Sequence, residues 1–441
     1  MTSADLVLHP DFLVPIRPRE VVLEHMSVAV KDGCISALIP RAEARAIEAK
    51  MHRDLPGQVL LPGFVNAHGH AAMTLLRGFA DDLPLMAWLQ QYIWPMESAF
   101  VSEDFVADGS QLAIAELILG GTTTFSDNYF FPDITARHAD LAGIRAQLMF
   151  PVLDIQTAWA RDAERYLEKG LALRDQYRQH DRIEIGFGPH STYSVEESLL
   201  QRLGTYALEL DAPLQIHLHE TREEVLMSVE RCGERPLDQL ARLGLLSPRT
   251  QCVHMTDIGQ QDIETVAHHG VSVIHCPRSN MKLGSGACPV QKLLDSGVTV
   301  GLGTDGAASN NRLNMITELQ TAALLAKVSS SSPTALSATD ALDIATMGGA
   351  KALGLHEQIG SLEVGKQADM IALDLSHVSL QPRNNVISHI VYATSGAEVR
   401  SSWVAGQNIL DEGVLVTLDI ERITENSARW RQQLSEFRSK L

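Results

Sequence analysis

The chain predicts a (β/α)₈ TIM-like barrel with a small β-sandwich domain built from both chain ends. Three observations carry that prediction: eight apolar strand-like runs alternate with helical stretches, β texture brackets them at either end, and polar residues cluster where the apolar runs stop. The runs fall near residues 59–67, 122–126, 147–154, 183–189, 214–219, 251–254, 271–276 and 298–304. Eight strands with intervening helices fit a closed barrel better than an open sheet.

The flanks read differently. From Ala4 to about Val59, short β-like runs are broken by Pro10, Pro15, Pro18 and Asp32-Gly33, as in hairpins. The same texture returns after Gly360, where Ala405-Gly406-Gln407-Asn408 reads as a tight turn. Residues 1–59 and 360–441 are therefore expected to form one composite β-domain, and 60–359 the barrel. Residues 420–441 have helical spacing and read as a terminal helix docked on the fold, and the serines at 329–332 as a loop.

Composition narrows the function. With 45% hydrophobic and 20% charged residues, the 441-residue chain has the material for a large core. A formal charge of −18 argues against tracking a phosphate backbone or docking on anionic lipid, leaving a small-molecule partner. The five scattered cysteines suggest neither a disulfide framework nor a thiolate metal site. No window is apolar enough to span a membrane, and Met1-Thr2-Ser3-Ala4-Asp5 does not start like a signal peptide, so a cytoplasmic protein is expected.

The chemistry sits at the strand ends. In Pro62-Gly63-Phe64-Val65-Asn66-Ala67-His68-Gly69-His70 an apolar run ends in two imidazoles one residue apart, which a period of two places on one face. His190 follows the fourth run, His217 and Glu220 the fifth, His254 the sixth and Asp305 the eighth. One such histidine is ordinarily a structural one, but these converge on the C-terminal face, where barrel enzymes place their sites. Three imidazoles and a carboxylate, His68, His70, His217 and Asp305, suit Zn²⁺ or Fe²⁺ with a position left for water. Such a metal lowers the pKa of that water, and Asp305 can take its proton. His219 shares the face of His217 by alternation and competes as ligand. Glu220 points the other way unless the chain turns after His219, and it also reads as a carboxylate at a helix start.

These segments, together with Gly186-Phe187-Gly188-Pro189-His190-Ser191, His217-Leu218-His219-Glu220-Thr221, Asn280-Met281-Lys282-Leu283-Gly284 and the stretch from Gly303 to Asn311, resemble the amidohydrolase superfamily. Within it they are most similar to the 5′-methylthioadenosine/S-adenosylhomocysteine deaminases. The resemblance implies one divalent metal per chain, zinc before iron, on His68, His70, His217 and Asp305. It also implies proton shuttling by Glu220, support of the activated water by His254, and contacts from Glu97 and His190 to the ribose and the purine. Binuclear relatives need a lysine at the fourth strand's end, where this chain has His190. A homocysteine tail carries a carboxylate and an ammonium and calls for arginine on or just after the third strand. Met149-Phe150-Pro151 stands there with only Arg161 nearby, which favours 5′-methylthioadenosine, its methylthio group in an apolar slot near Phe150, over S-adenosylhomocysteine and adenosine. The alternatives are a hydrolase of guanine, a triazine or a cyclic amide on the same metal set, or a non-catalytic scaffold on the same fold. A homodimer is expected.

Overall fold

The computed structural model describes residues 3–439. Met1 and Thr2, from the N-terminal stretch read above, and Lys440 and Leu441, from the end of the expected terminal helix, lie outside the described residues.

Eight parallel strands form the barrel: β1 (Phe64–Asn66), β2 (Thr122–Asn128), β3 (Arg145–Val152), β4 (Ile183–Pro189), β5 (Leu214–Leu218), β6 (Thr250–His254), β7 (Ser272–His275) and β8 (Val300–Leu302). Neighbours in sequence are neighbours in the sheet. The circle closes where Ala67 N donates to Leu302 O at 2.8 Å, joining the end of β1 to β8. A helical segment follows every strand, from Glu103–Leu119 after β1 to Met315–Ser330 after β8, so the strands are buried on both faces and read as nearly continuous apolar runs.

The second sheet is mixed and nine-stranded, and it draws on both chain ends. Ala49–Pro62 pairs in parallel with Ala4–Leu13 on one side and antiparallel with Met370–Asp374 on the other. Leu8, Leu13 and Val30 from the beginning share a core with Met370 and Trp403 from the end, as a sandwich requires. Ala405 and Gly406, both at positive φ, make the two-residue turn between Val399–Val404 and Gln407–Asp411.

Two local expectations need correction. The run at 59–67 is not one strand, because residues up to Pro62 belong to the mixed sheet and β1 starts at Phe64. Gly63 is the break: a Cβ there would lie 2.0 Å from Thr123 Oγ1, so only glycine lets the chain pass between the two sheets at that point. Ser329 and Ser330 are not loop but the last turn of Met315–Ser330, which ends on a left-handed Ser331. The terminal helix, Ile420–Arg438, docks through Trp430 and Leu434, and Trp430 Nε1 donates to Asp108 Oδ2 at 2.8 Å.

Candidate metal centre and substrate cavity

The C-terminal ends of β1, β5 and β8 bring four side chains to one point. His217 Nε2 lies 3.2 Å from His68 Nε2, and Asp305 Oδ1 lies 3.5 Å from His68 Nε2 and 3.2 Å from His70 Nε2. Each imidazole is anchored through its other nitrogen. His68 Nδ1 donates to Gln215 Oε1 at 2.6 Å, His70 Nδ1 to Asn128 O at 2.7 Å, and His217 Nδ1 to His190 O at 2.8 Å. Two hydroxyls orient the carboxylate: Ser279 Oγ and Ser309 Oγ donate to Asp305 Oδ2 at 2.6 and 2.8 Å.

This donor set fits a cation. With their protons held on Nδ1, the neutral rings turn Nε2 lone pairs toward one another and toward a carboxylate, in a buried place where that convergence is unfavourable unless a positive charge joins it. The titration tendencies of His68 and His217 agree with neutral rings, while that of His70 follows the carboxylate beside it. Burial lowers the pKa of His68 and, with neighbouring imidazoles, that of His217. For His70 burial also acts downward, but the hydrogen bond and charge of Asp305 outweigh it and raise the pKa to about 9. Asp305 itself is held well below the usual carboxylate range, its burial outweighed by His68 and His70. The residues that could hold a metal are thus His68, His70, His217 and Asp305, with His254 close by.

Backbone strain marks the same ends. His219, His254 and Asp305 all have positive φ, at 51°, 78° and 59°, a left-handed conformation costing a non-glycine residue on the order of 1–2 kcal/mol. At His219 this turn decides two questions left open by alternation. It swings the ring of His219 out of the barrel, where Nε2 accepts from Leu237 N at 3.1 Å and Nδ1 donates to Asp257 O at 3.0 Å, so no nitrogen is left for a metal. It also turns Glu220 inward, to the cavity wall.

Glu220 is buried, with Oε2 3.9 Å from His254 Nε2. Burial first, and then the charge of Asp305, raise its pKa to about 8. Its two readings coexist, because the helix Arg222–Cys232 does begin just after it: Thr221 caps that helix, and Glu224 Oε2 accepts from Glu220 N at 2.6 Å. His254 Nδ1 faces Asn280 Oδ1 at 2.9 Å.

Above the cluster opens a cavity of about 920 Å³. His190 stands on its wall, its ring centroid 4.8 Å from that of His217, and burial lowers its pKa to about 4, so it faces the cavity as a neutral ring. Glu97 reaches in from Trp94–Phe100, in the long excursion after β1 that covers the barrel mouth. Tyr129 Oη donates to its Oε1 at 2.8 Å, leaving Oε2 for a ligand. Burial raises the pKa of Glu97 to about 7 against the lowering effect of that hydroxyl. The outer end is apolar, with Leu85, Trp88, Ile93, Leu153 and Ile155 in the wall. Among the described residues lining the cavity there is no lysine or arginine.

Phe150 and Arg161 are not where the sequence put them. Phe150 is one residue out of phase: Gln147 points into the barrel, so Met149 and Pro151 follow it, while Phe150 packs outward on Phe187 with Gly170 against its ring. Pro151 lines the cavity in its place. Arg161 is 79% exposed and paired with Asp162, directed to solvent. Tyr129, Gln215, Ser279 and Ser309 escape a sequence reading altogether, since each is one polar residue in a local context that suggests no ligand.

The comparisons agree with this geometry. The amidohydrolase family matches residues 59–409. The chain is 48% identical, over 99% of both chains, to a 5-methylthioadenosine/S-adenosylhomocysteine deaminase of Teredinibacter turnerae, and 46% identical to one of Saccharophagus degradans, over 99% of this chain and 98% of that one. Among solved structures it superposes with a TM-score of 0.97, at 45% identity over 99% of both chains, on a zinc-bound adenosine deaminase from Xanthomonas campestris. A metal-binding barrel, a titratable glutamate beside it and relatives of this similarity over nearly the full length lead to one conclusion: the chain belongs to the amidohydrolase family and, within it, to that of the 5-methylthioadenosine/S-adenosylhomocysteine deaminases.

Proposed function

We propose that this enzyme deaminates adenine nucleosides hydrolytically, with 5′-methylthioadenosine as the preferred substrate, 5′-methylthioinosine and ammonia as products, and S-adenosylhomocysteine and adenosine as slower substrates. One observation carries the reading: a single cavity has the histidine–aspartate cluster and Glu220 at its base, a free carboxylate oxygen of Glu97 on its wall, and an apolar outer end without a cationic side chain. A ribose diol offers two donors to Glu97. A methylthio group matches the apolar end, whereas a homocysteine carboxylate finds no partner there.

The metal is assigned to His68, His70, His217 and Asp305, one ion per chain, and zinc is favoured by the relative that carries it. When bound, it supplies Lewis acidity that brings the pKa of a water toward neutrality. Glu220, held protonated at neutral pH by its burial, gives a proton to ring N1, accepts one from the attacking water as oxygen adds to C6, and passes it to the amino nitrogen. The C6–N bond then breaks, ammonia leaves with the bonding pair, and the proton of the C6 hydroxyl returns through Asp305 to Glu220, which leaves the 6-oxo product and a protonated glutamate. Asp305 and His254 flank the water, and neutral His190 hydrogen-bonds the purine.

Ultraviolet spectroscopy against a panel of purine nucleosides tests the function. A preference for 5′-methylthioadenosine supports it, a tenfold preference for the homocysteine compound reverses the ranking, and inertness toward every adenine nucleoside sinks it. Elemental analysis is expected to return one divalent metal per chain, and sedimentation a homodimer. No helix among the described residues is long and apolar enough to cross a membrane, and a cytoplasmic site of action accords with five unpaired cysteines.

Glu97→Ala is expected to cost several kcal/mol in kcat/KM on nucleosides, each hydrogen bond to a charged group being worth roughly 1.5–3 kcal/mol, while free adenine is little affected. Since a diol needs the carboxylate form, KM should also improve as pH rises through about 7 in the wild type. Equal losses on nucleoside and free base would remove Glu97 from the ribose.

A further inference from the structure

Gln147, Gln215 and Gln251 lie side by side in the barrel interior below the histidine cluster, on β3, β5 and β6, and all three are essentially inaccessible to solvent. A buried primary amide is costly unless its N–H and C=O groups are both satisfied, and satisfaction gives each amide a direction. Gln147 Nε2 donates to the Glu184 carboxylate at 2.6 Å and to Leu353 O at 2.9 Å, neither of which can donate in return. Glu184 itself is ion-paired with Arg249. Gln147 Oε1 therefore accepts, from Gln251 Nε2 at 2.8 Å. Gln251 Oε1 accepts in turn from Gln215 Nε2 at 2.7 Å, and Gln215 Nε2 also donates to Ala67 O at 3.0 Å. Gln215 Oε1 is left facing His68 Nδ1 at 2.6 Å. Rotating the amide would set Oε1 against two acceptors and the NH₂ group against the ring.

We infer that Gln215 is a positioning residue for the metal centre. It keeps the proton of His68 on Nδ1, so that Nε2 offers its lone pair to the ion, and the line of amides from Glu184 holds Gln215 in that sense. The inference rests on His68 being a ligand, and it does not depend on which nucleoside is the substrate.

Two readouts other than turnover test it. In competition with a chromogenic chelator, Gln215→Leu is expected to bind zinc roughly 10- to 100-fold more weakly than wild type, the usual effect of removing a partner behind a metal-bound histidine. Gln215→Glu is expected to bind within about threefold of wild type. Its carboxyl keeps an oxygen at the place of Oε1, where it accepts from His68 Nδ1 as the amide does. Affinity of Gln215→Leu within twofold of wild type, or a loss in Gln215→Glu as large as that in Gln215→Leu, overturns the proposal. The second readout needs no variant that must fold around a lost amide: ¹⁵N spectra of the zinc-free wild type, with His68 identified by its disappearance in His68→Ala, should show one Nδ1–H tautomer. An Nε2–H tautomer there overturns the inference. A wild type that binds no zinc at all would instead sink the metal assignment itself.

Discussion

Replacing His217 with alanine is expected to strip the protein of its metal and of its turnover together. His217 contributes one of the three converging Nε2 atoms, and it is the only one supplied by β5, so the remaining donors lie to one side of the site. Its loss also removes the Nδ1–H from the carbonyl of His190, which keeps the backbone N–H of residue 217 as its partner. Lewis-acid assistance is worth several kcal/mol, which places the fall in kcat at about 10³-fold or more. Elemental analysis after dialysis and a turnover assay check the two halves of the prediction. A variant that keeps a full metal equivalent would mean that the fourth donor comes from another side chain, such as His254, which has a ring nitrogen within 4.8 Å of one on His68.

Glu220→Gln should separate what His217→Ala removes at once. The amide is nearly isosteric and the backbone N–H of Glu220 remains bound to Glu224, so the helix start and the metal content should be unchanged. What disappears is a buried group able both to give and to take a proton. The expected fall in kcat is at least about 10²-fold, the lower end of the contribution of general acid–base catalysis. Near-normal kcat with metal retained would leave Glu220 as no more than a helix-start carboxylate and require another acid at the cavity floor.

Much of this molecule is local and therefore legible in the chain. Apolar runs of strand length alternating with helical stretches specify the barrel, because strands buried on both faces need that composition. The polar residues that end those runs, His68, His70, His217, His254 and Asp305, are visible for the same reason: they interrupt a pattern. Periodicity does not say where a strand stops. Alternation puts His219 beside His217 and Glu220 on the opposite face, and a single left-handed residue reverses both assignments. The same uncertainty of one residue put Phe150 in the cavity, when the inward direction of Gln147 assigns that place to Pro151.

The sequence by itself determined the fold class, the two-sheet organisation and the side chains that meet at the barrel's mouth, since each follows from composition and spacing along the chain. Only the tertiary structure decided how those side chains are held: Gln215 behind His68, Tyr129 on Glu97, and the two serines on Asp305. In these pairings each partner comes from a different strand or loop. Closure of the barrel brings them within hydrogen-bond distance, and burial then requires that they pair.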